Sequence, residues 1–554
     1  MTDVRGATFD ADVIVVGSGF GGAVAALRLT EAGHRVLVLE KGRRLSDDDL
    51  LRARTDPRAY LWGPAAGMRG FFWQRIFRHM AIIGGTGVGG GSIVWAGVLL
   101  QPGADFYDAP AMRRLGRDWK QELAPHLEVA AGMLGRATAP HCGAADDHLR
   151  AAARSLGAEE TYGPVPVAIH FGRPGETVPD PFFGGEGPER TGCRLCGECL
   201  LGCPYGAKNQ LTRNYLHLAE KYGATIRAEH EVRSVRPLPS GGYAVEAGHP
   251  WRRGATTTLR ARRVVLAGGV LGTLDLLYRC RDEQETLPGV SRRLGDGVRT
   301  NSEALTAVLQ PPGDDFSHGP TISSDFHPDA RTHTTQNRYM GGWHMRAQLG
   351  PMVDDDVPAR RARRVLGQLL ARPLTQARVI GAKDFLRRLT VLTTMQQHDS
   401  SLALDFRRSP WRPWRRALRS RLVDGTRPPS NLPIANAVTQ AFADSSGGRP
   451  LNLLGESVGG LSVTAHILGG AVMGSSADDG VVDASHEVFG HPGLYVADAS
   501  VIPANLGVNP SLTITALAER FCTLFPAPEP SGGAGRTTGR TPVTGQPVVP
   551  EEIR

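Results

Sequence analysis

A glycine-rich turn near the amino terminus constrains the fold of this chain most strongly. Residues 12–16, an aspartate followed by four apolar residues, predict a short buried strand, which runs into a glycine turn and then a helical pattern. The turn contains Gly17, Gly19 and Gly22, and a second apolar run ends on Glu40, eighteen residues beyond Gly22. Glycines let the backbone approach a pyrophosphate, the helix amino terminus offers N–H groups to it, and the acid takes the ribose hydroxyls. The stretch therefore predicts a βαβ dinucleotide site, for FAD or NAD alike.

A second glycine-rich stretch lies between residues 84 and 91, where six of the eight residues are glycine. Such a density excludes a helix or an ordinary strand. The flanking residues 80–83 and 93–95 are apolar. We therefore favour a buried loop that lies flat against a ligand over a flexible linker, which would be polar. The cofactor contacts predicted here are Gly85, Gly89, Gly90, Gly91 and Ser92.

The composition is typical of a globular enzyme. The chain has 554 residues, of which 41% are apolar and 21% charged, so it is long enough for two or more domains. Its 63 basic and 55 acidic residues give a net charge of +8, but no basic block is interleaved with aromatic residues as nucleic-acid binding requires. The polar amino terminus lacks the apolar core of a secretory signal. The sequence also has no uninterrupted stretch of roughly 18 apolar residues, which a membrane span needs. We expect a cytoplasmic protein that binds no nucleic acid.

The middle of the chain predicts further sheet structure. Four strand patterns between residues 225 and 260 alternate as in an antiparallel sheet. Residues 263–267 form another buried strand, which enters a glycine turn at Gly268. Because this repeats the opening pattern of the chain, we expect that strand to join the first sheet.

Two basic stretches, residues 359–370 and 411–422, are predicted to be helical. The second one is rich in arginine and tryptophan and would suit transient contact with an anionic membrane surface. We favour a solvated arginine face with Trp411 and Trp414 packed into the protein. Beyond residue 526 the chain is rich in Pro, Gly, Thr and Ser and is predicted to be disordered.

The carboxyl-terminal part again combines glycines with polar side chains. His466 is followed closely by Gly469 and Gly470, and Asn509 and Pro510 precede a helical pattern. Asn509 suits an N-cap and Pro510 suits a first helical position. The positive end of that helix dipole would suit a group that gains negative charge during turnover, such as the pyrimidine edge of a reduced flavin.

Together these motifs resemble the glucose–methanol–choline (GMC) flavin oxidoreductases, and among them the bacterial cholesterol oxidase branch that binds FAD non-covalently. The resemblance implies an α/β fold with a Rossmann-like, glutathione-reductase-like βαβ FAD-binding domain. It also implies a discontinuous substrate domain built on an antiparallel sheet with helices. The matching pieces are residues 17–22 with Glu40, 87–92, 265–272 and 466–520. The implied domains are 1–115 with 193–301 and 450–525 for FAD, 116–192 with 302–449 for substrate, and 526–554 for the tail.

The resemblance also implies residue roles. His466 and Asn509 would face the reactive edge of the isoalloxazine, and hydride would pass from a carbinol carbon to flavin N5. A neutral imidazole suits the removal of the hydroxyl proton near pH 7, and an Asn amide can bind the substrate oxygen. Asp498 would lie near the ribityl chain. The further cofactor contacts implied are Phe20, Val232, Gly268, Asn509 and Pro510.

Two departures from the family pattern limit this transfer. Many members carry Asn or His shortly after the glycine loop, where this chain has Trp95. Well-known cholesterol oxidases also use a substrate-domain glutamate to isomerise the steroid double bond. No stretch between residues 302 and 449 matches its surroundings, so isomerase activity is not predicted.

A run of four cysteines, Cys193, Cys196, Cys199 and Cys203, has the spacing of bacterial ferredoxins. In ferredoxins the fourth cysteine of such a run serves a second cluster, and this chain has one run only. Three alternatives stay open: an iron–sulfur cluster, structural thiols or zinc, and redox-active thiols. A cluster would favour electron transfer to a protein or quinone in place of oxygen.

The sequence therefore predicts FAD-dependent oxidation of a hydrophobic secondary alcohol, such as a 3β-hydroxysteroid, with oxygen or another electron acceptor. One alternative keeps the flavin and changes the substrate to a long-chain or natural-product alcohol, with an iron–sulfur relay. Another alternative is an electron-transfer or redox-sensing flavoprotein whose alcohol site is vestigial.

Overall fold

The structure, a computed structural model, describes residues 9–252, 254, 256–339, 345–398, 401–409, 412–423, 428–529 and 542–545. The strands of three or more residues are β1 Ala11–Val16, β2 Val36–Leu39, β3 Phe72–Ile76, β4 Met80–Gly85, β5 Thr225–Arg227, β6 Glu231–Pro237, β7 Tyr243–Gly248, β8 Thr257–Leu266, β9 Glu303–Leu309, β10 Ser324–Asp329, β11 Thr332–Arg338, β12 Leu349–Pro351, β13 Leu389–Gln396, β14 Leu402–Ser409, β15 Arg412–Leu422, β16 Arg449–Leu453, β17 Ser462–Thr464 and β18 Leu494–Val496. The α-helices are α1 Phe20–Glu31, α2 Asp47–Arg52, α3 Pro57–Tyr60, α4 Ala104–Asp108, α5 Pro110–Arg113, α6 Trp119–Met133, α7 Ala144–Ser155, α8 Tyr215–Lys221, α9 Gly269–Asp282, α10 Met345–Gln348, α11 Pro358–Ala371, α12 Pro373–Ile380, α13 Phe385–Arg388, α14 Pro433–Ser446, α15 Leu454–Ser457 and α16 Ser511–Leu524.

The first large sheet has the strand order β5–β2–β1–β8–β7–β6, with β18 also paired to β8. Four neighbouring strands, β5, β2, β1 and β8, run parallel to one another, and β18 is parallel to β8. The strand β7 pairs antiparallel with β8, and β6 pairs antiparallel with β7. Val15 lies opposite Val265, which confirms that residues 263–267 join the first sheet. The predicted antiparallel pairing is wrong for β5, which pairs parallel with β2. A strand that returns through a helix, here α8, enters a sheet in the parallel direction.

The second large sheet is antiparallel throughout, with the strand order β12–β16–β9–β13–β11–β10 and residues 163–164 at its edge. Helices α7 and α14 pack against its β10 and β9 strands. The two sheets confirm the predicted fold class, an α/β nucleotide-binding sheet combined with an antiparallel sheet and helices. The domain boundaries stay predictions, and α6 packs against α16 although the predicted boundary at residue 116 assigns α6 to the substrate domain.

A small sheet of β3, β4 and β17 brings two functional segments together. β4 is antiparallel to β3 and leads into the glycine loop, and β17 pairs parallel with it, with Thr464 opposite Ile82. His466 follows β17 by two residues. The pairing therefore places His466 beside the glycine loop, although about 380 residues separate them in sequence.

In the basic stretch predicted to be helical at residues 411–422, the described residues 412–422 form a strand and not a helix. β15 forms a hairpin with β14, in which Phe406 lies opposite Leu418. Both of these side chains are buried in the main apolar core, so cross-strand packing outweighs the helix propensity of the Arg and Leu residues. Trp414 is 81% exposed, so the prediction that it packs inside is wrong. Trp411 lies outside the described residues.

The predicted carboxyl-terminal tail is described in two short pieces, residues 526–529 and 542–545. The Val543 N–H donates to Glu31 Oε1, and the Val543 carbonyl accepts from Arg28 Nη1. Residues 530–541 and 546–554 lie outside the described residues, and disorder there stays a prediction. Among the helices of the described ranges, none is long and apolar enough to cross a membrane.

Helix α1 meets the end of the first sheet without an intervening side chain. A Cβ on Gly21 would lie 1.4 Å from the Ala497 carbonyl oxygen, which follows β18. Only glycine allows this contact, since any other residue would force helix and strand apart. Gly19 is different, because a Cβ there has no neighbour within 4 Å among the described residues and its φ is −69°.

We expect Gly21→Ala to lower the free energy of unfolding by at least about 3 kcal/mol, because overpacking against backbone cannot relax locally. The matched variant Gly19→Ala should change it by less than about 1 kcal/mol. Urea unfolding of both apoproteins measures the difference. Equal unfolding midpoints would contradict this account of the α1 contact.

Candidate active site

A central cavity of about 1190 Å³ takes lining residues from both large sheets. Pockets for a single ligand usually measure roughly 300–1,000 Å³, so the cavity has room for a large cofactor and a second ligand. The predicted site residues that line it are Gly17, Gly19, Phe20, Glu40, Gly85, Gly90, Gly91, Val232, Gly268, His466, Asn509 and Pro510. The other predicted residues, Gly22, Gly89, Ser92 and Asp498, lie directly behind the wall.

The amino terminus of α1 faces the cavity with free backbone donors. Phe20 begins the helix, and no side chain caps its first N–H groups. Gly90 has a φ of +51°, and a Cβ there would lie 2.8 Å from Gly19 Cα. The two glycine segments therefore pack backbone to backbone and leave a cradle that side chains would fill. A helix amino terminus beside such a cradle fits the pyrophosphate of a dinucleotide.

Glu40 lies at the end of β2 and is 5% exposed. Its Oε2 accepts hydrogen bonds from the backbone N–H of Ser18 at 3.0 Å and the Ser18 hydroxyl at 2.8 Å. Its Oε1 accepts one from the Gly42 N–H at 2.8 Å. These bonds fix the carboxylate at the cavity wall, where Oε1 keeps one lone pair for a ribose hydroxyl. Ser18 was missed by the sequence reasoning, although it lies within the glycine turn.

Ser92 and Asp498 support the wall through buried hydrogen bonds. The Ser92 hydroxyl donates to the Gly89 carbonyl at 2.7 Å and accepts from the Leu211 N–H at 3.1 Å. Asp498 accepts from the hydroxyls of Thr273 at 2.5 Å and Ser500 at 2.6 Å. Burial raises the pKa of Asp498, and these hydrogen bonds oppose the rise. Both residues therefore fix backbone segments and do not line the central cavity.

Lys208 is a buried cation that the sequence reasoning did not single out. It is 1% exposed, and burial lowers its pKa to about 8. Its Nζ donates to the carbonyls of Ile93, Trp95 and Cys199 at 2.8, 3.1 and 2.6 Å. One ammonium group thus joins the end of the glycine loop to the cysteine segment.

Trp95, where the family pattern has Asn or His, lines the central cavity. Its ring packs edge to face on Phe20, with 4.9 Å between the centroids. Its Nε1 is buried and has no hydrogen-bond partner within the described ranges. The indole therefore shapes the cavity wall and offers it a donor in place of an amide or imidazole.

His466 and Asn509 meet at the wall of the central cavity. Asn509 Nδ2 lies 3.2 Å from His466 Nε2. Asn509 Oδ1 is buried and lacks a hydrogen-bond partner in the part of the chain that the structure describes. An unpartnered buried acceptor beside an imidazole fits a ligand hydroxyl. Asn509 is not the predicted N-cap, since Pro510 occupies that position and the Asn509 amide reaches His466 instead.

Glu303 completes this group and was missed by the sequence reasoning. Its Oε2 lies 3.1 Å from His466 Nδ1. The same oxygen accepts hydrogen bonds from the Thr464 hydroxyl at 2.9 Å and the Ala465 N–H at 3.0 Å. Glu303 is 2% exposed and lines the central cavity. An acidic residue opening an apolar strand was the available signal, but nothing in the sequence places it beside His466.

A second carboxyl group, Glu456, is buried near Glu303. Burial raises the pKa of Glu456 well above its usual range, and the neighbouring Glu303 raises it further. Its Oε1 accepts a hydrogen bond from the Leu305 N–H at 3.3 Å. Glu456 thus lies behind β9, where burial favours its protonated form, while Glu303 faces the cavity.

The second sheet and the segments beside it supply a largely apolar part of the cavity wall. The apolar residues of this wall are Leu305, Ile322, Met345, Val391, Leu453 and Val463. Two of the polar residues of this wall bond to each other, since Asn337 Nδ2 donates to the Thr393 hydroxyl at 2.8 Å and also to the Val391 carbonyl at 3.2 Å. The Thr335 hydroxyl, in contrast, is buried without a hydrogen-bond partner among the described residues. This part of the cavity therefore suits an apolar ligand.

Cys193, Cys196, Cys199 and Cys203 line a second, small cavity of about 20 Å³. All four are free thiols. Burial raises the pKa of Cys196 to about 12 and also raises the pKa of Cys193 and Cys199. Within the described ranges, no group of three or more His, Cys, Asp or Glu side chains is arranged to hold a metal ion. The geometry therefore gives the zinc and iron–sulfur alternatives no support.

Comparison with known proteins identifies the family. Two family profiles described as GMC oxidoreductase match residues 188–296 and 429–518, and one described as FAD binding domain matches residues 12–47. A cholesterol oxidase of Mycobacterium tuberculosis (strain CDC 1551 / Oshkosh) is 40% identical over 93% of this chain and 91% of its own length. A cholesterol oxidase of Acinetobacter baumannii is 38% identical over 94% of this chain and 95% of its own.

A similar fold occurs in a solved structure with low sequence identity. Pyridoxine 4-oxidase from Mesorbium loti is 18% identical to this chain and superposes on it with a TM-score of 0.58. The match covers 93% of this chain and 99% of the pyridoxine 4-oxidase chain. The cavity geometry, the matching profiles and the two relatives agree with one another. The chain therefore belongs to the GMC oxidoreductase family, in its cholesterol oxidase-like branch, and is an FAD-dependent alcohol oxidoreductase.

Proposed function

We propose that this enzyme oxidises a hydrophobic secondary alcohol of the 3β-hydroxysteroid class to the ketone, with oxygen as electron acceptor. The observation that carries the proposal is the contact of His466, Asn509 and Glu303 at the edge of an apolar wall. The two relatives at 38–40% identity are named cholesterol oxidases, which supports both the substrate class and the acceptor. A long-chain or natural-product alcohol is the competing substrate.

His466 acts as the base in this proposal. Asn509 Nδ2 lies 3.2 Å from His466 Nε2, so the Nε2 lone pair accepts from the Asn509 amide, and a bound substrate hydroxyl would take the place of the amide at Nε2. The imidazole accepts the hydroxyl proton, while the Asn509 amide hydrogen-bonds the substrate oxygen and orients the carbinol. FAD, when bound, supplies the chemistry that takes the hydride from the carbinol carbon. Loss of the hydroxyl proton and of the hydride together converts the alcohol to a carbonyl.

Glu303 is a positioning residue for His466. A carboxylate 3.1 Å from Nδ1 selects the tautomer with the proton on Nδ1 and leaves Nε2 free to accept. Once Nε2 has taken the proton, the same carboxylate stabilises the imidazolium. Because Thr464 and Ala465 also hold Glu303, the carboxylate and the ring are fixed together.

FAD is held non-covalently in this proposal. The first turn of α1 and the glycine loop hold the pyrophosphate, and Glu40 holds the adenosine ribose. Val232 and Gly268 line the same part of the cavity. Asp498 acts indirectly, by fixing the backbone that follows β18. Pro510 and the first turn of α16 lie at the reactive end, where the helix dipole favours a group that gains negative charge.

The four clustered cysteines are structural thiols in this proposal. The Leu195 N–H donates to Cys193 Sγ at 3.4 Å, and the thiols pack with Ile169 and Ala207 in a small apolar cluster. Buried thiols whose pKa is raised are poor nucleophiles. Their packing beside Lys208 supports the glycine loop without redox chemistry.

His466→Ala tests the assignment of the base. We expect kcat for cholesterol oxidation to fall by about 10²–10⁴-fold, since a positioned base contributes that much. Anaerobic bleaching of the flavin by cholesterol measures the step directly, and bound FAD per chain shows that the cofactor site is intact. His141→Ala, at a 60% exposed side chain, is the control. Bleaching at the wild-type rate in His466→Ala would contradict the proposal and favour an electron-transfer flavoprotein.

Glu303→Gln tests the positioning role. Glutamine keeps the shape and loses the charge, so we expect kcat to fall by about 10–100-fold while KM changes little. Glu456→Gln is the matched control, because Glu456 is a neighbouring buried carboxyl that does not line the cavity and the substitution should leave kcat unchanged. Steady-state kinetics in detergent-dispersed cholesterol separates kcat from KM. An equal loss in both variants would point to a general packing effect and against the role of Glu303.

Metal and thiol analysis tests the cysteine proposal. We expect the anaerobically purified holoenzyme to show only flavin absorption and no stoichiometric iron, acid-labile sulfide or zinc. A thiol reagent should titrate all seven cysteines after denaturation, and react with Cys193, Cys196 and Cys199 slowly in the native protein, since their thiolates are disfavoured. Stoichiometric iron with sulfide would overturn the proposal and revive the iron–sulfur relay.

A further inference from the structure

The second sheet carries polar side chains within the apolar part of the cavity wall. Successive residues of a strand point to opposite faces of the sheet. Gln336 of β11 points to the face covered by α7, where its Nε2 donates to Asp146 Oδ1 at 3.0 Å. Its neighbours Thr335 and Asn337 therefore point to the other face, and both of them line the central cavity.

The adjacent strand adds a third polar side chain. Thr393 of β13 lies directly opposite Thr335 and also lines the cavity. Side chains opposite each other on antiparallel strands have Cβ atoms about 5 Å apart. We call Thr335, Asn337 and Thr393 the polar trio. Leu305, which lies opposite Thr393, and Val391, which lies opposite Asn337, border the trio with apolar side chains.

The hydrogen bonds of the polar trio leave hydroxyl donors for a ligand. Thr393 Oγ1 accepts from Asn337 Nδ2 at 2.8 Å, so the Thr393 hydroxyl keeps its own proton to donate. The Thr335 side chain is 0% exposed, and its hydroxyl has no partner within the described ranges. A buried hydroxyl is costly unless a ligand or a water binds it. Two hydroxyls on facing strands fit one carbonyl oxygen, which accepts two hydrogen bonds.

The polar trio lies at a defined separation from the proposed base. Glu303, which contacts His466, is aligned with Met395 of β13. Thr393 lies two residues from Met395, and Thr335 lies one strand further across the sheet. Two strand spacings of roughly 5 Å and a two-residue step of about 7 Å put the backbone of Thr335 about 12 Å from that of Glu303. A rigid molecule of the length of a steroid nucleus can therefore contact the base and the trio together.

We propose that the polar trio binds a carbonyl oxygen at the end of the substrate farthest from its reacting hydroxyl. The ligand class is a 3β-hydroxysteroid with a ketone on its far ring. The inference rests on the proposed function for the reaction but not for the binding of the ketone. The hydroxyls of Thr335 and Thr393 donate to the ketone oxygen, and the apolar side chains around them pack on the rings.

The trio thereby determines specificity. A ligand with only a hydrocarbon group at this place leaves the Thr335 hydroxyl without a partner, and a site with an unpaired buried polar group discriminates against such a ligand. An ordered water is the competing occupant of the trio, since it would satisfy the same hydroxyls. A water that stays in place would make the trio indifferent to the far end of the substrate.

Two steroids that differ in one group test the inference on the holoenzyme. The first is dehydroepiandrosterone, and the second is the analogue in which a methylene replaces its ketone. Thr335→Val removes the hydroxyl and keeps the shape of the side chain. Thr390→Val is the matched control, because the Thr390 hydroxyl is also buried without a partner among the described residues. Thr390 alternates with the cavity-lining Val391 and so points away from the cavity.

We expect the preference for the ketone over the methylene analogue, measured as a ratio of kcat/KM values, to fall by about 3–10-fold in Thr335→Val. That range corresponds to one neutral hydrogen bond, and the loss should act through a higher KM for the ketone. Thr390→Val should keep the wild-type ratio. Melting temperature and FAD content show that both variants are folded and loaded.

A binding measurement without turnover complements the kinetics. The same nucleus with the far-ring ketone and without the hydroxyl cannot be oxidised, and its binding is followed by the change in flavin absorbance. We expect its Kd to rise in Thr335→Val by the same factor as the loss of preference, and to stay at the wild-type value in Thr390→Val.

Two outcomes would overturn the inference. An unchanged ratio and an unchanged Kd in Thr335→Val would show that the trio holds an ordered water only. An equal loss in Thr390→Val would show a general packing effect of the sheet. Failure of the proposed function is a different result, since the wild type would then oxidise neither steroid. The Kd of the hydroxyl-free ketone would still test the polar trio in that case.

Discussion

The site depends on close backbone contacts between segments that are far apart in sequence. Gly21 in α1 approaches the carbonyl of Ala497, and Gly90 in the glycine loop approaches Gly19. Each approach is shorter than any Cβ allows, so the absence of side chains decides how near the helix, the loop and the carboxyl-terminal strand come. The donors at the start of α1 and the flat backbone of the loop consequently share one wall. A dinucleotide needs both, because its phosphates bind donors and its ring binds a flat surface.

Buried charged groups then hold the loops that this backbone packing brings together. The Lys208 ammonium binds three carbonyls from two segments, and Glu303 binds the backbone and side chains around β17. Such groups are costly to bury unless every bond is made. They therefore favour one arrangement of the loops over many similar ones, and so hold His466 and Asn509 in fixed positions at the cavity wall.

The sequence was sufficient for the features that local patterns encode. The glycine turn, the parallel strand at residues 263–267 and the fold class follow from periodicity, glycine spacing and family motifs. Most of the predicted cofactor and catalytic residues also line the cavity. The β15 strand did not follow, because its buried partners Phe406 and Leu418 meet only across a hairpin. Asn509 was misassigned as a cap, since a good N-cap residue beside Pro510 carries the same local signal as an amide that turns toward His466.

Glu303 and Lys208 could not be recognised for a different reason. Each is a single charged residue whose role depends on a neighbour more than 100 residues away, and no local pattern records that neighbour. Glu303 also shows why the two sheets cannot act separately. It opens a strand of the antiparallel sheet, yet its carboxylate contacts a histidine that is placed by the small sheet beside the nucleotide cradle. A shift of either large sheet relative to the other would change the distance from carboxylate to imidazole. The apolar wall and the His466 imidazole are therefore parts of one rigid arrangement.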